Sequence, residues 1–121
     1  MTWEFFPEIT SPHMDDAFMR RLIGLRREFD RAMVVTSSYR PLDHPDELGK
    51  AYPGTHTLGR AVDVRMYGGR ALRLFALAVV HGFTGIGVHQ SGPHGSRFIH
   101  LDDLNTMAYR PRPYLWGYKK E

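Results

Sequence analysis

The chain has 121 residues and contains no cysteine. This length fits one domain with one core, spanning residues 1–121. The lack of cysteine excludes disulfides, thiolate zinc sites, iron–sulfur clusters and cysteine nucleophiles. The formal charge is +3, which favours anionic partners without choosing among them. Seven histidines are many for this length, so any metal site must be built from His, Asp or Glu.

Apolar runs in the sequence are short, and none approaches the roughly 18 residues that span a bilayer. The first seven residues lack the basic and apolar regions of a secretory signal. We therefore expect a protein that is made in the cytoplasm and has no membrane partner.

The first predicted element is an amphipathic helix over residues 12–30. Ser11, followed by a proline and then by two aspartates, is typical of a helix start. Apolar residues recur at spacings of four, three and four, and they form one stripe: Phe18, Leu22, Leu25 and Phe29. Residues 33–37 then have strand character, and a proline at position 41 ends that segment.

The rest of the chain alternates loops with short elements. Residues 41–57 form a predicted polar loop, and residues 70–81 form a second predicted helix that stops at a glycine. We expect the buried face of that helix to consist of Leu72, Phe75, Ala76 and Val79. Residues 85–89 and 97–101 read as a hairpin, and the aromatic tail 110–118 is expected to pack back onto the sheet.

Residues 56–63, His-Thr-Leu-Gly-Arg-Ala-Val-Asp, are the most informative stretch. Asp63 lies between two valines of a predicted strand over 61–65, so its carboxylate faces away from the core. His100 lies between two apolar residues of another predicted strand. If these strands are antiparallel neighbours, Asp63 and His100 share a polar face, and a loop that brings His56 over them completes the set. Two histidines and one carboxylate match a catalytic zinc site whose fourth position is left to water.

These motifs resemble the zinc D-alanyl-D-alanine carboxypeptidases and L-alanyl-D-glutamate endopeptidases, whose fold is shared with hedgehog signalling domains. The resemblance rests on H-x-x-G-x-A-x-D at 56–63, Phe-Ile-His-Leu-Asp at 98–102 and Ser-Ser-Tyr-Arg at 37–40. It indicates a compact member of phage or bacterial type. We expect an α+β fold in which a small, mostly antiparallel sheet has helices on one face and a zinc site on the other.

The resemblance also implies roles for individual residues. His56, Asp63 and His100 match the zinc ligands of the family, so the implied cofactor is Zn²⁺. Arg40 matches the arginine that binds the substrate carbonyl or carboxylate near the metal. A guanidinium group suits this role because it donates charge-assisted hydrogen bonds to a developing oxyanion.

The motif does not identify the general base. In many relatives an acidic residue three positions before the last zinc histidine, or another histidine two positions before it, assists the reaction. This chain has Arg97 and Phe98 at those positions. Three nearby residues are candidates for the base: Asp102, His94 and His89. A site that binds metal without turnover is the other interpretation.

The expected function is hydrolysis of an amide bond in the peptide stem of bacterial peptidoglycan, by a D,D-carboxypeptidase or an endolysin-type endopeptidase. The alternative is a non-catalytic, zinc-containing wall-binding module of the same fold. Nucleic acid is not an expected partner, because no aromatic residues interleave with the arginines of the first helix. We expect a monomer that acts on the cell wall after release or as part of a virion.

Overall fold

The computed structural model describes residues 2–118, which form two helices and one five-stranded sheet. Helix α1 spans Asp16–Phe29 and helix α2 spans Gly68–Val80. The strands are β1 (Val34–Ser37), β2 (Ala61–Arg65), β3 (Gly85–His89), β4 (Phe98–Asp102) and β5 (Tyr114–Gly117). Within residues 2–118, no helix is both long and apolar enough to cross a membrane.

The strand order across the sheet is β1-β2-β4-β3-β5. Every neighbouring pair is antiparallel except β3 and β5, which run parallel. The predicted hairpin is therefore confirmed as β3 and β4, joined by a loop with a short 3-10 turn at His94–Ser96. The predicted extended tail is also confirmed, since it supplies β5 at one edge of the sheet.

Helix α1 buries the predicted apolar stripe completely, from Phe18 to Phe29. Its start, however, is Asp16 and not residue 12 as predicted. The Ser11 hydroxyl accepts a hydrogen bond from the backbone N–H of His13 at 3.1 Å and so closes a turn ahead of the helix. The capping residue is Asp15, whose side chain accepts from the backbone N–H of Phe18 at 2.9 Å.

Helix α2 exposes much of the face that was predicted to be buried. Leu72 is 69% exposed and Val79 is 56% exposed. The buried residues are instead Ala71, Leu74 and Ala78. The helix is apolar around most of its circumference, so the period of its apolar residues does not select one face. The prediction was wrong for Leu72, Ala76 and Val79 for that reason, whereas Phe75 does pack against the core.

The two faces of the sheet have different roles. Apolar side chains of the inner face join both helices in one core: Val62, Val64, Ile86, Ile99 and Leu101. The opposite face carries a row of paired residues that runs from Asp63 on β2 to His100 on β4, Gly87 on β3 and Trp116 on β5. The predicted α+β architecture, with helices on one face of a mostly antiparallel sheet, is thus confirmed.

Candidate metal centre

Two strands and one turn bring together the three predicted metal ligands. Strand β4 pairs with β2 so that His100 lies directly opposite Asp63, which confirms the predicted antiparallel pairing. A 3-10 turn at Thr55–Leu58 brings His56 to the same place. One candidate ligand atom from each residue lies within 4.8 Å of the other two. The three side chains are therefore close enough to hold a single metal ion.

The turn that carries His56 depends on Gly59. This glycine has a left-handed φ of 69°, and an added Cβ would overlap the backbone carbonyl of His13. The carbonyl of Gly59 also accepts a hydrogen bond from the N–H of Asp15 at 2.8 Å. The glycine of the H-x-x-G motif thus lets the chain leave the turn and enter β2 directly beneath the start of α1.

The hydrogen bonds of His56 fix its tautomer. Its Nδ1 lies 2.9 Å from the carbonyl oxygen of Ser38, which can only accept, so Nδ1 carries the proton. The other ring nitrogen, Nε2, lies 3.4 Å from Oδ1 of Asp63. The neutral form of His56 would thus offer the lone pair of Nε2 to a metal beside the carboxylate.

His100 is oriented in the same way, with its two nitrogens exchanged. Its Nε2 lies 2.8 Å from Oδ2 of Asp102, and its Nδ1 lies 3.0 Å from Oδ1 of Asp63. A metal that displaces the proton of Nδ1 would take the lone pair of that nitrogen beside Asp63, while Nε2 keeps its proton toward Asp102. A histidine that donates its second N–H to a carboxylate is a common arrangement around protein-bound metals.

The charges of the centre are strongly coupled. Burial alone would lower the pKa of His100, but hydrogen bonds to Asp102 and Asp63 outweigh it and raise that pKa above its usual value. Burial alone would raise the pKa of Asp63, but hydrogen bonds from His100 and His56 hold it well below its usual range. The group thus retains positive charge between its carboxylates, and a divalent cation can replace that charge with release of protons.

Asp102 lies on the far side of the His100 ring from Asp63. Its carboxylate is fully buried and accepts from Arg112 through both oxygens, at 2.9 and 2.8 Å, and from the N–H of Leu104 at 3.3 Å. Burial opposes ionisation, yet the bonds from His100 and Arg112 lower the pKa of Asp102 to about 2. Asp102 is therefore an ionised group whose oxygens are already engaged.

Arg40 lies beside His56 and is tied into its surroundings. Its guanidinium donates to Glu47 at 3.1 Å and to the hydroxyl of Ser37 at 3.2 Å, and its backbone N–H donates to the carbonyl of His56 at 3.0 Å. The Ser37 hydroxyl is itself 3.5 Å from Nδ1 of His56. Arg40 also lines an open polar pocket of about 440 Å³.

Glu47 is a structural element of the site that the sequence reasoning missed. Its carboxylate is almost fully buried and accepts from Arg40, from Lys50 at 2.9 Å and from the backbone N–H of Gly54 at 2.8 Å. These bonds outweigh the effect of burial and lower the pKa of Glu47 to about 2. An acid in a polar loop carries no periodicity, so the sequence offered no signal that it would be buried.

The two histidines proposed as candidates for the base lie in different environments. His94 is in the exposed turn between β3 and β4, and its ring stacks on Tyr67 with centroids 4.4 Å apart. His89 lies at the end of β3, paired with Phe98 of β4, and the two rings stack 4.9 Å apart. Nδ1 of His89 is buried and has no hydrogen-bond partner within residues 2–118.

Trp116 of β5 and Tyr118, which directly follows β5, also lie beside the site. From the sequence, we expected the aromatic tail only to pack against the sheet. The Trp116 ring lies against His100 with centroids 5.0 Å apart. The Tyr118 ring packs edge-on against Phe98 at 5.1 Å. Their connection to the metal ligands depends on the parallel pairing of β5 with β3, which nothing in the local sequence encodes.

The donor set is chemically suited to zinc. Two imidazole nitrogens and one carboxylate oxygen are the usual ligands of catalytic zinc, and three protein ligands leave a coordination position open. Cysteine, the other common zinc ligand, is absent from the sequence. The residues present therefore fit a zinc ion of the catalytic type.

Comparison with known proteins agrees with this site. A sequence profile described as Peptidase M15 matches residues 8–102, which include His56, Asp63 and His100. No curated protein and no solved structure is significantly similar to the chain. The chain therefore belongs to the peptidase M15 family, whose fold is of the hedgehog and D-alanyl-D-alanine peptidase type.

Proposed function

We propose that the chain is a zinc peptidase that hydrolyses an amide bond in the peptide stem of bacterial peptidoglycan. One observation carries this proposal: His56 and His100 each have one nitrogen held by a fixed acceptor and the other turned toward Asp63. In the neutral form, each ring would offer the lone pair of its second nitrogen to one metal ion shared with Asp63. Membership of the peptidase M15 family supports a peptide substrate.

The metal would be held by Nε2 of His56, the carboxylate of Asp63 and Nδ1 of His100. When bound, zinc supplies Lewis acidity, which polarises an amide carbonyl and makes water a nucleophile at neutral pH. Asp102 then acts as a positioning residue, because it keeps the proton on Nε2 of His100 and leaves Nδ1 free.

Arg40 is proposed to bind a carbonyl or carboxylate oxygen of the substrate. Glu47 and Ser37 hold its guanidinium in one orientation next to His56, so little conformational entropy is lost when an anion binds. The polar pocket beside it offers space for the end of a peptide. A guanidinium at this position also stabilises negative charge that develops on the substrate.

Proton transfer is assigned to His89. Hydrolysis adds the oxygen of water to the carbonyl carbon, breaks the C–N bond and moves one proton of that water to the leaving amine nitrogen. Asp102 is fully buried with both oxygens engaged, and His94 lies in the exposed turn. His89 lies on the same sheet face as His100 and its ring is only partly buried, so it is the candidate best placed to carry the proton, at Nε2, because Nδ1 is enclosed by protein.

The experiment is incubation of the purified zinc-loaded protein with peptidoglycan, followed by separation of the soluble fragments by mass spectrometry. We expect about one zinc per chain, and we expect stem fragments that disappear after treatment with a chelator and return with added zinc. Retention of zinc and binding to peptidoglycan without any released fragment would overturn the enzymatic proposal and favour the wall-binding alternative.

The assignment of His89 has its own test. His89→Gln should lower kcat by about 10²- to 10⁴-fold, the usual contribution of a general acid–base group. His94→Gln is the matched control and should retain activity. An active His89→Gln variant together with an inactive His94→Gln variant would move the proton-transfer role to His94.

A further inference from the structure

The hydroxyl of Tyr118 lies on the ligand-bearing face of the sheet. A Cβ added at Gly87 would lie 2.7 Å from this hydroxyl and 2.6 Å from Nε1 of Trp116, so both groups converge over Gly87. Gly87 is the direct cross-strand neighbour of His100. The phenol of Tyr118 therefore reaches from the end of β5 to the strand position next to a metal ligand.

The shape of the site depends on the absence of a side chain at Gly87. Any other residue there would displace the indole of Trp116 and the phenol of Tyr118, because even a methyl group would lie within 3 Å of both. The Tyr118 ring also packs edge-on against the stacked rings of His89 and Phe98, with centroid distances of 5.6 and 5.1 Å. These ring contacts hold the phenol in place over Gly87.

The hydroxyl proton is not used inside the protein. The indole N–H of Trp116 can only donate, so it cannot accept the phenol proton of Tyr118. Within residues 2–118, that proton is donated to no side chain and to no carbonyl oxygen. Tyr118 is 39% exposed, so this donor is open to solvent and to a molecule bound at the candidate metal site.

The charge state of Tyr118 agrees with a role as a hydrogen-bond donor. Burial raises the pKa of Tyr118 to about 12, and the negative charges of Asp63 and Asp102 act in the same direction against the opposing hydrogen bond from Trp116. The phenol is therefore neutral at physiological pH and remains a hydrogen-bond donor.

We propose that Tyr118 is a catalytic residue that donates a hydrogen bond to the carbonyl oxygen of the scissile amide as negative charge develops on it. This inference rests on the proposed peptidase function and adds to it a donor on the side of the site formed by β3 and β5. Tyr118 keeps its proton throughout, since the proton gained by the leaving amine comes from water. A neutral donor that is already held in position stabilises the oxyanion of the transition state more than it stabilises the uncharged carbonyl of the ground state.

The test is Tyr118→Phe, which removes the hydroxyl and keeps the ring that packs against Phe98. We expect kcat to fall by about 10²- to 10³-fold, as for loss of one oxyanion donor, with little change in KM. A second measurement does not depend on turnover: the affinity for a phosphinate isostere of the stem amide bond that the wild type cleaves should fall by a similar factor. Zinc content and thermal stability should match those of the wild type.

Tyr109→Phe is the matched control, because Tyr109 is half-exposed and stacks on Tyr52, in loops away from Gly87. Its kcat and phosphinate affinity should be unchanged. If Tyr118→Phe keeps wild-type kcat and phosphinate affinity, the proposal is wrong. A parallel loss of zinc would also overturn it, because the role would then be structural. A zinc-loaded wild type that cleaves no stem peptide would instead refute the proposed function itself.

Discussion

Oδ2 of Asp102 lies 2.8 Å from Nε2 of His100, and this hydrogen bond decides which ring nitrogen of His100 faces Asp63. The two residues are two positions apart along β4, so their side chains project from the same face of the sheet. Arg112 holds the far side of the carboxylate through two further bonds. A buried chain of Arg112, Asp102 and His100 therefore supports one corner of the candidate metal centre.

Asp102→Asn should weaken zinc binding without removing a ligand. An amide accepts more weakly from Nε2 and leaves the guanidinium of Arg112 without its counter-charge, so the orientation of His100 is less well held. We expect the Kd for zinc to rise about 10- to 100-fold, the usual effect of losing such a supporting carboxylate. Competition with a chromophoric chelator measures this, and Asp43→Asn in the exposed part of the loop is the control. An unchanged Kd would show that Asp102 does not support the metal.

His56→Ala should abolish stable metal retention. Only Asp63 and His100 would remain as ligands, and two protein ligands hold zinc poorly compared with the three of a catalytic site. We expect metal analysis of the purified variant to give far less than one zinc per chain. His81→Ala is the control, because His81 pairs with Glu28 on the helical side of the protein. Full zinc occupancy in His56→Ala would show that the ligand assignment is wrong.

Glu47→Gln should destabilise the protein at neutral pH by about 1–3 kcal/mol, because it leaves the largely buried guanidinium of Arg40 and the ammonium of Lys50 without a charged acceptor. The pKa of Glu47 is about 2 in the folded protein, against an ordinary value of 4.5. The stabilisation is therefore fully present above about pH 4.5 and is lost as the pH falls toward 2.

Urea denaturation at several pH values measures this effect. The difference in the free energy of unfolding between wild type and Glu47→Gln should shrink as the pH falls from 5 to 2.5. The control is Asp46→Asn. The Asp46 side chain is exposed, and its carboxylate oxygen lies 3.7 Å from the Arg40 guanidinium, beyond hydrogen-bond distance, so this change should alter stability by less than about 0.5 kcal/mol. A difference that stays constant with pH would contradict the role given to the Glu47 carboxylate.

Gly85→Ala should damage both stability and metal binding. A Cβ at this position would overlap the Asp102 carboxylate and the Arg112 guanidinium, which are buried and cannot move apart without breaking their bonds. We expect a loss of about 1–3 kcal/mol in the free energy of unfolding, as for other overpacked sites, with weaker zinc affinity. Gly95→Ala is the control, because a Cβ added at Gly95 meets no atom within 4 Å. It should change neither the free energy of unfolding nor the zinc affinity. Equal behaviour of the two variants would refute this account.

Local periodicity explains which elements could be predicted. Helix α1 has apolar residues on one side and arginines on the other, so its stripe from Phe18 to Phe29 defines the buried face. Helix α2 has apolar residues on most sides, and the structure buries Ala71, Leu74 and Ala78 while it exposes Leu72. The choice between two apolar faces is made by the elements that pack against the helix and not by its own sequence.

By itself, the sequence determined the type of site. Without cysteine, a metal must bind nitrogen and oxygen, and the strand alternation around Asp63 and His100 directs both side chains away from the core. Only the tertiary structure decided how these side chains are held. Arg112 meets Asp102, Glu47 meets Arg40, and Tyr118 reaches Gly87 through contacts between segments that no local period relates. Alternation along a strand is a property of its own backbone, whereas these contacts exist only once the strands have paired.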